Sequence, residues 1–198
     1  AIALTESGRT EEAITHLQAA LHLKPDHAPV ENNLGDNLLR LGRPAVALPH
    51  FERAVQLHPD YAVAHCNRGL ALARLGRVEE ACRAFAEAAR LDPRYPEAEF
   101  NWGVALVESK RAAEALPHLA RAIQLAPRWP SARTYFGRVL ASEGRLADAA
   151  DQFRAAVDLA PDSGEAHFLL GKALRALGRT TEAETHLDAA RQLGTAAP

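Results

Sequence analysis

The chain has no methionine, two cysteines and two tryptophans among 198 residues. Its cations are nearly all arginine, the lysines being Lys24, Lys110 and Lys172. Two cysteines, Cys66 and Cys82, do not make a disulfide framework, and they read as small buried or half-buried side chains. The formal net charge is only -2, so the basic surplus that phosphate neutralisation would need is missing, and no nucleic acid is expected as partner. No apolar run approaches the ~18 residues that a membrane-spanning helix needs. No signal peptide is visible. The chain begins at Ala1 inside a repeat and reads as a piece of a longer protein, with no compartment named.

Enzyme signatures are lacking as well. There is no G-x-G-x-x-G, P-loop, G-x-S-x-G, H-E-x-x-H or C-x-x-C. Cys66 beside His65 is not a nucleophile and base, because adjacent residues on a helix point about 100° apart and no third group orients them. The chain is therefore expected not to be an enzyme and to need no cofactor.

What is present is a period. Steps of 34 from Pro25 land on Pro59, Pro93, Pro127 and Pro161, and from Gly35 on Gly69, Gly103, Gly137 and Gly171. Ala13, Ala47, Ala81, Ala115, Ala149 and Ala183 hold a third place, and Ala20 begins a fourth. Such repeats mean a solenoid that grows by adding units. Ala and Leu dominate the apolar share and both favour helix. Each unit reads as two helices, for example 28–41 and 44–57, with Gly42 between them and Pro59 closing. Gly76, Gly144 and Gly178 repeat the mid-unit turn, with Lys110 the exception. In the first unit a helix should end at Ser7-Gly8, and Thr10 can cap the next, from 10 to 23. The units are expected at 1–27 (partial), 28–61, 62–95, 96–129, 130–163 and 164–197, as one solenoid over 1–198. Gly and Ala at fixed places permit close helix contact, and Leu17, Phe51, Phe85, Leu119, Phe153 and Leu187 fill the space one turn away.

The paired Leu34-Gly35, Ala47 to Phe51 and Pro59 resemble the tetratricopeptide repeat (TPR), and the resemblance recurs about five and a half times over the chain. It departs from the family where an early Trp is usual. That place holds Glu31, His65, Glu99, Arg133 and His167, and these departures are expected to loosen individual units. Arg68 and Trp102 likewise replace the Leu before Gly69 and Gly103. Pro49 and Pro117 lie inside second helices and belong on the outer face, where a bend is cheap. His16, His50, His118 and His186 share one place, spaced too far apart to ligate one metal ion, and read as partly exposed helix residues.

The resemblance implies an all-α, right-handed superhelical solenoid of antiparallel helix pairs, with first helices lining a concave groove. The expected function is protein–protein interaction: a scaffold binding an extended peptide or a partner helix. The groove would carry Asn32, Asn33, Asp36 and Arg40, then Val63, Cys66, Asn67, Leu70 and Arg74, then Glu97, Phe100, Asn101, Val104, Val107 and Glu108, then Thr134, Tyr135 and Arg138, then Glu165, Phe168, Lys172 and Arg175. Asn33, Asn67 and Asn101 stand 34 apart and resemble the asparagine ladders of TPR proteins such as O-GlcNAc transferase and kinesin light chain. They either hold a peptide backbone or bond locally between helices. An apolar centre from Leu70 through Phe100 and Val104 to Tyr135 favours hydrophobic ligand side chains, and the flanking cations favour acidic ones. The cations that would clamp a chaperone tail are missing. The alternative is a structural arm of a larger enzyme or secretion assembly, such as a glycosyltransferase-linked arm packing on its own chain. Exposed apolar ends would favour end-to-end self-association.

Overall fold

The computed structural model describes residues 9–194; the expected helix end at Ser7-Gly8 and the variant ending at Thr195 lie outside them. Eleven α-helices follow in chain order among these residues: α1 Thr10–Leu23, α2 Ala28–Arg40, α3 Pro44–Leu57, α4 Ala62–Arg74, α5 Val78–Leu91, α6 Pro96–Glu108, α7 Ala112–Leu125, α8 Pro130–Ser142, α9 Leu146–Leu159, α10 Gly164–Ala176 and α11 Thr180–Gln192. The described residues are all-α, with no strand among them.

The turn inside each repeat from the second to the sixth is a six-residue closure. Gly42 has φ of 71°; its N–H donates to the Leu39 carbonyl at 3.0 Å and the Arg43 N–H to the Leu38 carbonyl at 3.0 Å. This is the left-handed stop that absorbs orphan carbonyls at a helix end. Lys110 takes the same conformation, φ 63°, without being glycine. Its N–H still reaches the Val107 carbonyl at 2.9 Å and the Arg111 N–H the Leu106 carbonyl at 2.8 Å.

Thr10 does not cap α1. It lies inside the helix, and Arg9 is the capping residue, with no side-chain bond to the helix backbone. Arg9 instead forks onto Glu12 through Nε at 2.7 Å. The same fork joins Arg77 to Glu80, Arg111 to Glu114, Arg145 to Asp148 and Arg179 to Glu182, with Nε–O distances of 2.7–2.8 Å. The acid sits in the first helical turn, where the backbone dipole favours negative charge, and the arginine fixes it there.

Two compact units divide the chain, 1–105 and 106–198. In the first, Ile14, Leu34, Leu38, Phe51, Leu72, Phe85 and Ala105 belong to one buried cluster. In the second, Leu140, Phe153, Leu170 and Leu174 form another. The glycine register has a direct cause in both. A methyl group at Gly69 would lie 2.6 Å from the Phe85 ring, and one at Gly137 would lie 2.6 Å from Phe153. The aromatic ring thus packs flat on bare backbone of the preceding helix. Pro49 and Pro117 are exposed in helices that continue past them.

Candidate functional site

In the first unit, α2 and α4 meet directly, as do α8 and α10 in the second. First helices of neighbouring repeats therefore stand side by side, and their shared face is the candidate interaction surface of each unit.

On the first unit's face, Asn33, Asn67, Leu70, Phe100, Asn101 and Val104 are all half-buried. Asn67 Nδ2 donates to Asn32 Oδ1 at 3.0 Å. Asn101 Nδ2 points at Cys66 Sγ at 3.7 Å. These two asparagines thus each reach back to the helix of the preceding repeat. Asn33 accepts on its backbone carbonyl from Asn37 Nδ2 at 2.8 Å. Asn32 and Cys66 are only 4% and 1% exposed, so both leave the expected groove surface. Adjacent helix positions diverge by about 100°, and the half-buried neighbour at Asn33 or Asn67 is the outer one. Burial pushes the Cys66 thiol above its usual range, against the opposing hydrogen bonds from Asn101 and Tyr95. A buried neutral thiol is a packing group. Arg40 is exposed and holds Asp36 at 2.9 Å, and Arg74 is exposed.

On the second unit's face, Tyr135 is half-buried, with its phenol raised by burial first and by Glu108 second. Arg138 is exposed and stands 3.6 Å from Glu165. Lys172 lies over the Phe168 ring, 5.3 Å from its centre. Arg175 bonds Glu184 on α11 at 2.9 Å, which commits it to its own second helix. Two pockets of about 330 and 340 Å³ open here, and Arg138 lines both.

At four of the five places where the family's early Trp is usual, the residue makes hydrogen bonds within the fold. Glu31, 9% exposed, meets His50 Nδ1 at 2.7 Å. His65 bonds the Pro59 carbonyl at 2.8 Å. Arg133 donates to the Pro127 carbonyl at 3.0 Å and to Gln152 at 3.1 Å. His167 bonds the Pro161 carbonyl at 3.2 Å and His186 at 3.0 Å. Each of these four residues ties its first helix to the closing proline, to a residue 19 further on, or to both. His50 and His186, read as merely partly exposed, are those partners. The 19-residue spacing was present in the sequence as the only signal for these ties.

Among the described residues no three His, Cys, Asp or Glu gather as a metal site, and no helix is long and apolar enough to cross a membrane.

A family model described as the cilia and flagella-associated protein 70 C-terminal TPR domain matches residues 1–197. No curated protein sequence matches. Solved structures do. YrrB, described as a TPR protein with an unusual peptide-binding site, is 26% identical, with 89% of this chain and 91% of that one covered and a TM-score of 0.70. MamA from Desulfovibrio magneticus is 25% identical, with 84% and 94% covered and a TM-score of 0.73. PilF of Pseudomonas aeruginosa, at 21% identity, shares the fold, with 98% and 89% covered and a TM-score of 0.82.

Proposed function

The chain belongs to the family of the cilia and flagella-associated protein 70 C-terminal TPR domain, and from that premise we propose that it is a protein-interaction scaffold holding an extended peptide on its first-helix faces. The observation that carries this reading is the amide of Asn67. One of its N–H groups is anchored on Asn32 at 3.0 Å, which orients the rest of the group before a ligand arrives. An amide has two N–H donors and a carbonyl acceptor, so the second N–H and the oxygen are available to a peptide backbone. Asn33 and Asn101 occupy the same repeat place on the helices either side. Preorganisation of this kind lowers the ordering cost of binding.

Leu70, Phe100 and Val104 supply the apolar contacts on this face, and Arg74 draws acidic ligand residues, with Arg40 contributing only when it leaves Asp36. Tyr135, Arg138, Lys172 and Arg175 are the corresponding second-unit residues, Arg175 contributing only when it leaves Glu184. The peptide-binding site described for YrrB, a structure that this chain resembles over most of its length, supports a peptide as the ligand class.

The test is an unbiased peptide-display selection followed by calorimetry on a variant carrying Asn33→Ala, Asn67→Ala and Asn101→Ala. Each amide-to-backbone bond contributes ~0.5–1.5 kcal/mol, so the selected peptide should bind at least roughly tenfold more weakly. Undiminished affinity in a variant of unchanged helicity would contradict the ladder. Because Asn67 also ties two helices, Val104→Ser provides a second variant outside the ladder, expected to weaken the same peptide.

A further inference from the structure

The second unit carries a pocket whose chemistry is more specific than a general peptide face. It lies between α8 and α10 with α9 beneath, encloses about 340 Å³, and is lined by Leu146, Phe153, Leu169, Ala173 and Ala176 with Arg138 and Lys172 among its walls. Resting on the peptide-scaffold reading, we infer that this pocket takes an apolar side chain of a peptide whose neighbouring residues are Asp or Glu.

The pocket is preformed. Phe153 is 2% exposed and its ring is wedged against the Gly137 backbone, so one wall is part of the core. The volume lies near the lower end of the roughly 300–1,000 Å³ usual for ligand pockets, which suits one side chain rather than a large ligand. Its lining has two cations and no carboxylate.

Neither cation is required by the fold. Arg138 and Lys172 hold one repeat place, and the same place in earlier repeats is Asp36, Leu70 and Val104. Arg138 and Lys172 are themselves exposed, so packing does not hold either side chain. Both cations remain usable. Arg138 and Glu165 are 3.6 Å apart with both side chains 60% exposed, too long for a hydrogen bond and weak as a surface pair. Lys172 rests on the Phe168 ring and keeps its N–H donors. Arg175 differs, being bonded to Glu184 at 2.9 Å.

The second pocket sets the register. It lies on the other flank of Arg138 and is lined by Ser131, Thr134, Tyr135 and Glu165. Glu165 there repels a ligand carboxylate, so the acidic residues belong on the Arg138–Lys172 side.

The experiment uses fluorescein-labelled, end-capped nonapeptides with one central Leu flanked on each side by two Glu, together with a twin carrying Gln in place of Glu. Fluorescence anisotropy should show the Glu peptide binding at least about tenfold more tightly than its twin, the difference expected of charged hydrogen bonds, and salt should erode that difference. Arg138→Gln and Lys172→Gln should each remove most of it, and Ala176→Trp, at an exposed position on the pocket wall, should block both peptides. Equal affinity of the twins, no binding by either, or an Ala176→Trp variant of unchanged melting temperature and unchanged affinity would overturn the inference. The display-selected peptide, measured on the same variants, separates the two readings. If it binds the chain while the Glu peptide does not, the acidic-peptide pocket fails and the scaffold stands; if neither binds, both fail.

Discussion

His167 and His186 are joined ring to ring, Nδ1 to Nδ1, at 3.0 Å. The Pro161 carbonyl accepts from His167 Nε2–H at 3.2 Å, so Nδ1 of a neutral His167 is a lone pair. His186 Nδ1–H donates into it at 3.0 Å. The groups facing His186 are His167 on α10, Arg154 and Asp158 on α9, and Glu182 on its own helix; desolvation, then His167 and Arg154, depress its pKa, while Glu182 and Asp158 oppose them. A base with a depressed folded pKa contributes stability that is present above its unfolded value and lost as pH falls through the folded one. The loss therefore begins near the unperturbed value of about 6.5 and grows below it. Melting curves from roughly pH 7.5 to 5.5 should show a smaller fall in Tm for His186→Gln than for the unsubstituted chain. Identical slopes would contradict a depressed pKa at His186. At this scale the sequence was only partly legible. The 34-residue period fixed which residues are equivalent, as at Asn33, Asn67 and Asn101. It could not tell the outer Asn33 from the buried Asn32 beside it, because that distinction depends on how each helix is rotated toward its neighbours.

The helix starts were harder to read than the helix ends. Gly42, Gly76, Gly144 and Gly178 announce their turns because only glycine takes positive φ without cost, and Lys110 stood out as the exception that it proves to be. Thr10 suggested a hydroxyl cap, yet the device in use is an arginine fork. Its signal is a second 34-residue register: Arg9, Arg43, Arg77, Arg111, Arg145 and Arg179, with an acid three residues later in every case except Val46. Val46 is 52% exposed, so no core contact accounts for it. Val46→Glu should complete the fork with Arg43 and place an acid in the first turn of α3. A gain of a few tenths of a kcal/mol follows, seen as a Tm rise of about 1 °C at low salt that shrinks at high salt. A fall in Tm would show that Val46 has a packing role.

At the scale of the whole molecule, each of the two units has its own apolar cluster, and in each the first helices of adjacent repeats meet. The repeat made this architecture legible from sequence, because small and large residues recur sixteen apart, as at Gly35 and Phe51. The ligand chemistry was less so, since Arg138 and Arg175 look alike in a sequence, yet Arg175 bonds Glu184 at 2.9 Å while Arg138 stands 3.6 Å from Glu165. The first-helix face is proposed as the binding face. Hydrogen exchange of the chain with and without its display-selected peptide tests that claim most directly. Added protection should fall on α2, α4 and α6, or on α8 and α10, and leave α3, α5, α9 and α11 at their free rates. Protection confined to those second helices would contradict it.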